Sequence, residues 1–188
     1  MTTSIRPFID GDQITLRGLR KEDMENYRSW LDNSNATQFM ESGWRPTSSE
    51  ELDKLYEIST QPQDTAVFVI ENKNTRKAIG ICGLYLIQWV CRRAEFRILI
   101  GDDSARGQGF GTEAAKLCLT YAFNKLNLNL VYLGVNSENK AAVRSYENAG
   151  FVSEGLRRQL IYRNGRYYDA LMMSVLRDEY DSIEEDKG

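Results

Sequence analysis

The segment ARGQGFGTEAAKL, residues 105–117, has three glycines within five positions and then continues in strong helix formers. Glycine adopts backbone conformations that other residues avoid, and it lets a ligand approach the main chain closely. The first amides of a helix have no acceptor inside that helix, and the helix dipole adds roughly half a positive charge at the same end. Together with the cation of Arg106, this turn predicts a phosphate-binding site.

Two well-known phosphate-binding motifs do not fit this turn. A Walker loop has Lys after its last glycine, whereas Gly111 is followed by Thr112 and Glu113. A dinucleotide-binding fingerprint has the spacing GxGxxG in the first strand–helix–strand unit, whereas the spacing here is GxGxG and the turn lies deep in the chain. Taken alone, the turn also fits a purely structural role in which the glycines only let a strand and a helix pack closely.

The residue composition restricts the chemistry that the chain can perform. It contains no histidine, which removes histidine-based triads, histidine-ligated metals and the most common general base. Cys82, Cys91 and Cys118 lie among apolar residues, so we expect buried thiols and neither a disulfide framework nor a metal site. Catalysis would have to use carboxylates, tyrosine, cysteine, backbone amides or water.

Length and charge indicate the class of protein. The chain of 188 residues and 21.6 kDa is predicted to form a single domain over residues 1–180, followed by an acidic tail over residues 181–188. The acidity of this tail begins at Asp178, and we expect it to be frayed and solvated. A net charge of −3 and a pI near 5.2 argue against nucleic-acid binding. The sequence shows no membrane span and no secretion signal, so we expect a cytoplasmic protein.

The hydrophobic pattern predicts a mixed α/β fold, with a mostly antiparallel central sheet and helices on both faces. Asn164-Gly165 is the strongest hairpin signal in the chain. The predicted strands cover residues 13–19, 64–72, 77–87, 92–101 and 130–136 and the two arms of the hairpin. The predicted helices cover residues 21–33, 48–59, 109–126 and 137–150, the last with Ser137 as its N-cap and Gly150 at its end.

Several motifs together resemble the GNAT superfamily of acetyl-CoA-dependent N-acetyltransferases. They are R-x-x-G-x-G from Arg106, N-x-x-A-x-x-x-Y from Asn139 to Tyr146, and Gly150-Phe151. The resemblance covers about residues 13–177, including the element order. Within the superfamily, RRAEF at 92–96 and EGLRRQLIYRNGRYYDAL at 154–171 are most similar to bacterial spermidine N-acetyltransferases, and ribosomal-protein N-terminal acetyltransferases share much of this frame.

The resemblance implies acetyl-CoA as cosubstrate and no metal ion. In this family the glycine-rich loop holds the coenzyme A pyrophosphate, and the strand before it pairs with the pantetheine arm in a slot that opens because the next strand splays away. Asn139 would hydrogen-bond the arm, with Asn136 as a weaker candidate. The implied cofactor-binding residues are Ile98, Leu99, Arg106, Gly107, Gln108, Gly109, Phe110, Gly111, Thr112, Asn136, Asn139 and Ala142.

Tyr146 matches the general acid of the family. Amine attack on a thioester expels a thiolate, which a phenol of pKa ~10 can protonate. The alternative is a core aromatic, since Tyr146 shares a helical face with Val143 and Ala149.

Deprotonating an alkyl ammonium of pKa ~10.4 at neutral pH costs about 4.6 kcal/mol. Glu95 is our candidate base, and the alternative for Glu95 is an ion pair with Arg92 or Arg93.

The first third of the chain and the strand lining the cleft provide the candidate acceptor-binding residues, which are Glu41, Trp44, Tyr85 and Glu95. An acidic run, residues 50–57, suits a polycation or forms a solvated face. Arg45 and Trp44 stand where polyamine enzymes would have clustered carboxylates.

We predict a small primary amine as acceptor, a polyamine first and an amino sugar or amino acid derivative next. Acetylation of a protein N-terminus and acyl-CoA sensing without turnover are the alternatives. Exposed aromatics and the C-terminal hairpin predict a homo-oligomer, a dimer or larger.

Overall fold

The structure, a computed structural model, describes residues 7–40, 45–60 and 63–185. Its strands are β1 (Ile9–Asp10), β2 (Ile14–Gly18), β3 (Ala66–Asn72), β4 (Ala78–Gln88), β5 (Arg93–Ile100), β6 (Leu130–Asn136), β7 (Val152–Arg163) and β8 (Arg166–Leu176). Its helices are α1 (Asp23–Leu31), α2 (Ser34–Thr37), α3 (Ser49–Thr60), α4 (Phe110–Asn124), α5 (Lys140–Glu147) and α6 (Arg177–Glu185), with a 3-10 turn at Asp103–Ala105.

The strands form one eight-stranded sheet in the order β1-β2-β3-β4-β5-β6-β8-β7. Every neighbouring pair is antiparallel except β5 and β6, which are parallel. The parallel pair requires a crossover, and α4 provides it. The predicted mixed, mostly antiparallel sheet is confirmed.

Alternating side chains divide the sheet into two buried faces. The larger core packs α4 and α5 against one face and includes Phe68, Cys82 and Phe96. The smaller core packs α1 against the other face, where Trp30 meets Leu99. Helices therefore cover both faces, as predicted, and each residue of β5 faces one of two different environments.

Local turn chemistry corrects one predicted cap and adds short elements that the sequence pattern missed. The N-cap of α5 is Asn139, whose Oδ1 accepts from the amide of Ala142 at 3.2 Å. The prediction of Ser137 as the N-cap is wrong. The amide of Ser137 donates to the carbonyl of Asp169 at 3.0 Å, and the turn before α5 is two residues longer than predicted. The short strand β1 and the short helix α2, the latter capped by Asn33, were not predicted.

The cysteine prediction holds for two of the three residues. Cys82 and Cys118 are buried, with their Sγ atoms 3.6 Å apart. Cys91 is exposed, because it lies in the turn between β4 and β5 rather than in either strand.

The acidic C-terminal segment is helical rather than frayed as far as Glu185. Tyr180 is buried in α6, and its ring centroid lies 4.9 Å from that of Phe123. The expectation of a frayed tail starting at Asp178 is therefore wrong for residues 178–185, although most of these side chains are exposed to solvent as expected. Residues 186–188 lie outside the described part of the chain. Within the described ranges, no helix is long and apolar enough to cross a membrane.

Candidate active site

A wedge-shaped opening lies between β5 and β6. The two strands pair only at Arg93–Leu130, Ala94–Val131 and Glu95–Tyr132. Beyond Glu95, β5 continues along β4 and β6 continues along β8. Residues 96–100 therefore present an open strand edge, whose amides and carbonyls can pair with an extended ligand as another strand would.

The N-terminus of α4 lies at the end of the loop that leaves β5. Gly107 and Gly109 adopt the left-handed conformation, with φ of +71° and +87°, and Gly109 is the N-cap. The first helical bond of α4 runs from the amide of Glu113 to the carbonyl of Gly109 at 3.0 Å. In the described part of the chain, the amides of residues 107–112 have no acceptor. These amides, called here the amide cradle, are therefore the candidate for the phosphate-binding site that the sequence predicts.

Two side chains of the loop form hydrogen bonds that stabilise its conformation. The guanidinium of Arg106 donates to the carbonyls of Ile100 and Asn35 and lies 3.0 Å from a carboxylate oxygen of Asp103. The side chain of Gln108 donates to the carbonyl of Ser104. The donors available to a ligand at this turn are therefore main-chain amides, and the cation of Arg106, expected to contact phosphate, is engaged inside the loop.

The start of α4 is fixed against α5 through a contact that the sequence did not reveal. The hydroxyls of Thr112 and Ser145 are 2.8 Å apart. A Cβ atom at Gly111 would lie 3.6 Å from the hydroxyl oxygen of Ser145, which is an ordinary van der Waals distance. Phe110 is buried in the larger core and anchors the first turn. Ser145 lies within the Asn139–Tyr146 motif but at one of its variable positions.

Asn136 ends β6 at the open side of the wedge. Its side chain is buried at 2% exposure, and its Oδ1 accepts from the amide of Glu138 at 3.0 Å. Its Nδ2 has no hydrogen-bond partner among the described residues. An unsatisfied buried donor costs about 1–3 kcal/mol, so this amide is suited to a ligand carbonyl. Asn139, by contrast, uses its side-chain oxygen to cap α5.

Tyr146 of α5 packs against the aromatic rings of the larger core. Its ring centroid lies 6.3 Å from that of Phe96 and 5.7 Å from that of Phe151. Burial raises the pKa of Tyr146 to about 12, so the phenol is protonated throughout the neutral range. Among the described residues its hydroxyl has no hydrogen-bond partner. The side chain is thus a core aromatic whose phenol carries its proton at neutral pH.

Glu95 and Tyr85 meet on the opposite face of the sheet. They are register partners on β5 and β4. The carboxylate of Glu95 makes a bidentate ion pair with Arg97, with distances of 3.0 Å to Nε and 2.8 Å to Nη2. The expected partners are engaged elsewhere, Arg92 with Asn127 and Arg93 with Gln88. Glu95 and Tyr146 therefore flank the wedge from opposite faces of the sheet.

The other predicted acceptor-binding features are Glu41, Trp44 and the acidic run of α3. Glu41 and Trp44 lie outside the described residues. In the acidic run of α3, Glu51 pairs with Arg45 and Asp53 pairs with Lys21, which supports a solvated face. Within the described ranges, no group of three or more acidic or cysteine side chains is arranged to hold a metal ion.

Comparison with known proteins gives one consistent family. The acetyltransferase (GNAT) domain family matches residues 13–152. Spermidine N(1)-acetyltransferase of Vibrio cholerae is 35% identical over 171 residues, which cover 89% of this chain and 95% of that protein. The Escherichia coli K12 protein of the same name is 33% identical over 170 residues, covering 89% and 88%.

The fold agrees with a solved structure from the same group. The crystal structure of spermidine N-acetyltransferase from Vibrio cholerae in complex with CoA and spermine superimposes with a TM-score of 0.82 at 34% identity, covering 90% of this chain and 99% of that chain. The wedge, the amide cradle and the flanking Tyr146 and Glu95 thus occur in a chain that belongs to the GNAT acetyltransferase family.

Proposed function

We propose that this acetyl-CoA-dependent N-acetyltransferase acetylates a primary amine of a polyamine such as spermidine. The observation that carries the proposal is the wedge between β5 and β6, which leaves residues 96–100 as an open edge and closes at Glu95. A thioester aligned along this edge would lie beside a carboxylate that attracts an ammonium group. The relatives that match nearly the whole chain are named spermidine N(1)-acetyltransferases. Their names support a polyamine as the source of that ammonium group.

We assign cosubstrate binding to the cradle and to the strand edge. The six amides of residues 107–112 would hold the diphosphate, helped by the dipole of α4. The backbone of Ile98 and Leu99 would pair with the pantetheine arm, and Nδ2 of Asn136 would donate to one of its carbonyls. In the described structure the six amides and Nδ2 of Asn136 lack an acceptor, and Ile98 and Leu99 have strand partners on β4 but none on the side that faces β6. Binding would satisfy the groups on that open side.

Two residues would move protons during the transfer. Glu95, directly or through water, accepts the proton that the ammonium must lose before its nitrogen can attack the carbonyl carbon. As the carbon–sulfur bond breaks, Tyr146 donates its phenolic proton to the sulfur. The second proton of the attacking nitrogen is lost to solvent as the amide forms, and solvent returns a proton to the phenolate. The products are an N-acetylamine and a free thiol, with the acetyl group transferred directly and without an acyl-enzyme.

A product analysis tests the proposal. Purified protein, acetyl-CoA and spermidine are incubated, thiol release is followed with a chromogenic disulfide, and the amine is analysed by mass spectrometry. We expect equal amounts of thiol and monoacetylated spermidine. A panel of peptides is incubated with acetyl-CoA in parallel. If the peptides are acetylated and the polyamines are not, the acceptor is a protein N-terminus and the polyamine assignment is wrong. Binding of the thioester without thiol release from any amine would indicate an acyl-CoA-sensing module.

We further propose a homo-oligomer in the cytoplasm. The hairpin of β7 and β8 exposes a set of large apolar side chains, and such surfaces commonly pack against another subunit. They are Val152, Leu156, Leu160, Tyr162 and Tyr167.

A further inference from the structure

Arg97 contacts the side chains expected to receive the acceptor cation. Its guanidinium makes two hydrogen bonds with the carboxylate of Glu95, and its Cζ lies 5.0 Å from the ring centroid of Tyr85. Tyr27 of α1 packs against the same smaller core as Tyr85; burial raises the pKa of Tyr27, and the charge of Arg97 opposes that rise. A carboxylate beside aromatic rings is the environment in which proteins bind alkylammonium ions.

We propose that Arg97 is a specificity-determining residue: its guanidinium occupies the acceptor's ammonium subsite in the free protein, and the acceptor must displace it from Glu95. This inference rests on the proposed function, because it takes Glu95 as the carboxylate that receives the amine. Arg97 thereby determines how tightly the subsite binds an amine and which amines it favours.

The geometry allows the displacement. The side chain of Arg97 is 55% exposed and that of Glu95 is 23% exposed, and partly exposed ion pairs contribute only ~0.2–1 kcal/mol. The register partner of Arg97 on β4 is Gly83, which has no side chain at that position. The guanidinium can therefore leave the carboxylate at low cost while the backbone of β5 stays in place.

The displaced guanidinium also discriminates between amines. It keeps its charge and remains tethered close to the subsite, so it repels any second cationic group of the acceptor. A polyamine experiences this repulsion, whereas a monoamine with an uncharged tail experiences less of it. Arg97 is therefore expected to weaken the binding of spermidine more than that of n-butylamine.

The test replaces Arg97 by an uncharged side chain of similar polarity. Arg97→Gln should lower the KM for spermidine by about threefold to tenfold, as expected for loss of a competing, partly exposed charge. The KM for n-butylamine should fall less, and the KM for acetyl-CoA should not change. Arg93→Gln is the matched control, because Arg93 lies on the same face of β5 and is exposed but bonds to Gln88. It should leave all three KM values unchanged.

A double-mutant cycle shows whether Arg97 acts through Glu95. Binding of spermidine in the presence of coenzyme A is measured by calorimetry for the wild type, Glu95→Gln, Arg97→Gln and the double variant. We expect Arg97→Gln to tighten binding in the wild-type background and to have a smaller effect in the Glu95→Gln background, where only the repulsion of the second cationic group remains.

Three results would contradict these proposals, and they are distinguishable. An unchanged or raised KM for spermidine in Arg97→Gln, with an active wild type, overturns the role of Arg97 and leaves the proposed function intact. An equal effect of Arg97→Gln in both backgrounds overturns its action through Glu95. A wild-type protein that neither binds nor acetylates any polyamine overturns the proposed function and this inference together.

Discussion

Tyr146 packs in the larger core and is also the proposed general acid. Its ring lies against Phe96 and Phe151, and burial raises its pKa to about 12. The loss of solvation that makes Tyr146 part of the core therefore also keeps the phenol protonated at the pH where a thiolate must be neutralised. The two sequence-based interpretations of this residue are compatible rather than exclusive.

Replacing Tyr146 by Phe removes one oxygen and keeps the ring. We predict that Tyr146→Phe lowers kcat by about 10²–10⁴-fold, the usual range for a positioned general acid. Coenzyme A affinity should stay within about twofold. Steady-state rates with spermidine and calorimetric titration with coenzyme A measure the two effects. A variant with wild-type kcat would show that Tyr146 is only a core aromatic.

At the residue scale, the sequence predicted which residues would face the wedge better than it predicted their partners. Residues two apart in a strand lie on the same face of the sheet, so the proximity of Glu95 and Arg97 on β5 could be predicted from the sequence. Choosing Arg97 over Arg92 required knowing that Arg92 adopts a positive φ of 52° and bonds to Asn127. Such choices depend on neighbouring chain segments that one sequence does not specify.

At the element scale, the conformation of Gly109 determines where the first amides of α4 point. Its φ of +87° is one that other residues adopt at a cost of about 1–2 kcal/mol, although a Cβ atom there would meet no neighbour within 4 Å. We predict that Gly109→Ala shifts the turn and weakens coenzyme A binding about tenfold, measured by calorimetry.

The control for this variant is Gly18→Ala. Gly18 also has open space around its Cβ position, but it ends β2, and its φ is not positive. Coenzyme A binding should be unchanged there. Equal affinity of Gly109→Ala and the wild type would show that the amide geometry of this turn does not contribute to binding.

The first helix is fixed to the sheet by a buried network of ion pairs. Arg17 of β2 makes a bidentate pair with Asp23, the first residue of α1, at 2.8 Å for each bond. It also donates to Glu71 of β3 at 3.0 Å. All three residues are buried. Removing Arg17 would leave the buried carboxylate of Asp23 without its cation and Glu71 with only the exposed Arg76 at 3.3 Å, which is strongly destabilising.

We predict that Arg17→Ala lowers the free energy of unfolding by about 3–5 kcal/mol, measured by urea denaturation. Lys21→Ala should change it by less than about 0.5 kcal/mol, because Lys21 makes only an exposed pair with Asp53. A loss below about 1 kcal/mol for Arg17→Ala would contradict a stabilising role of the network.

Most of the strands and helices were predictable, but the opening between two of the strands was not. Alternating apolar residues predicted β3 to β6, and Asn164-Gly165 predicted the hairpin. The wedge arises because the pairing of β5 with β6 stops after Glu95 and Tyr132, which are far apart in sequence. Periodicity describes each strand alone, so it carries no information on where two distant strands separate. Only the resemblance to the family implied the slot.

At the scale of the whole molecule, the exposed hairpin surface predicts self-association. We expect light scattering after size exclusion to give a mass of at least two subunits. Leu156→Ser combined with Leu160→Ser should lower that mass, because both side chains are exposed on β7. Val90→Ser is the matched control, since Val90 is apolar and 97% exposed but lies outside the hairpin. A monomeric wild type at all concentrations would contradict the prediction.

In the proposed complex, the amides of residues 107–112 and the open edge at residues 96–100 hold acetyl-CoA, with its thioester between Glu95 and Tyr146. A crystal structure of the protein with coenzyme A and spermidine tests it most directly. We predict diphosphate oxygens within about 2.7–3.2 Å of those amides, the pantetheine arm paired with β5, and an amine beside Glu95. A diphosphate bound elsewhere on the molecule, or an arm that does not pass between β5 and β6, would contradict the account.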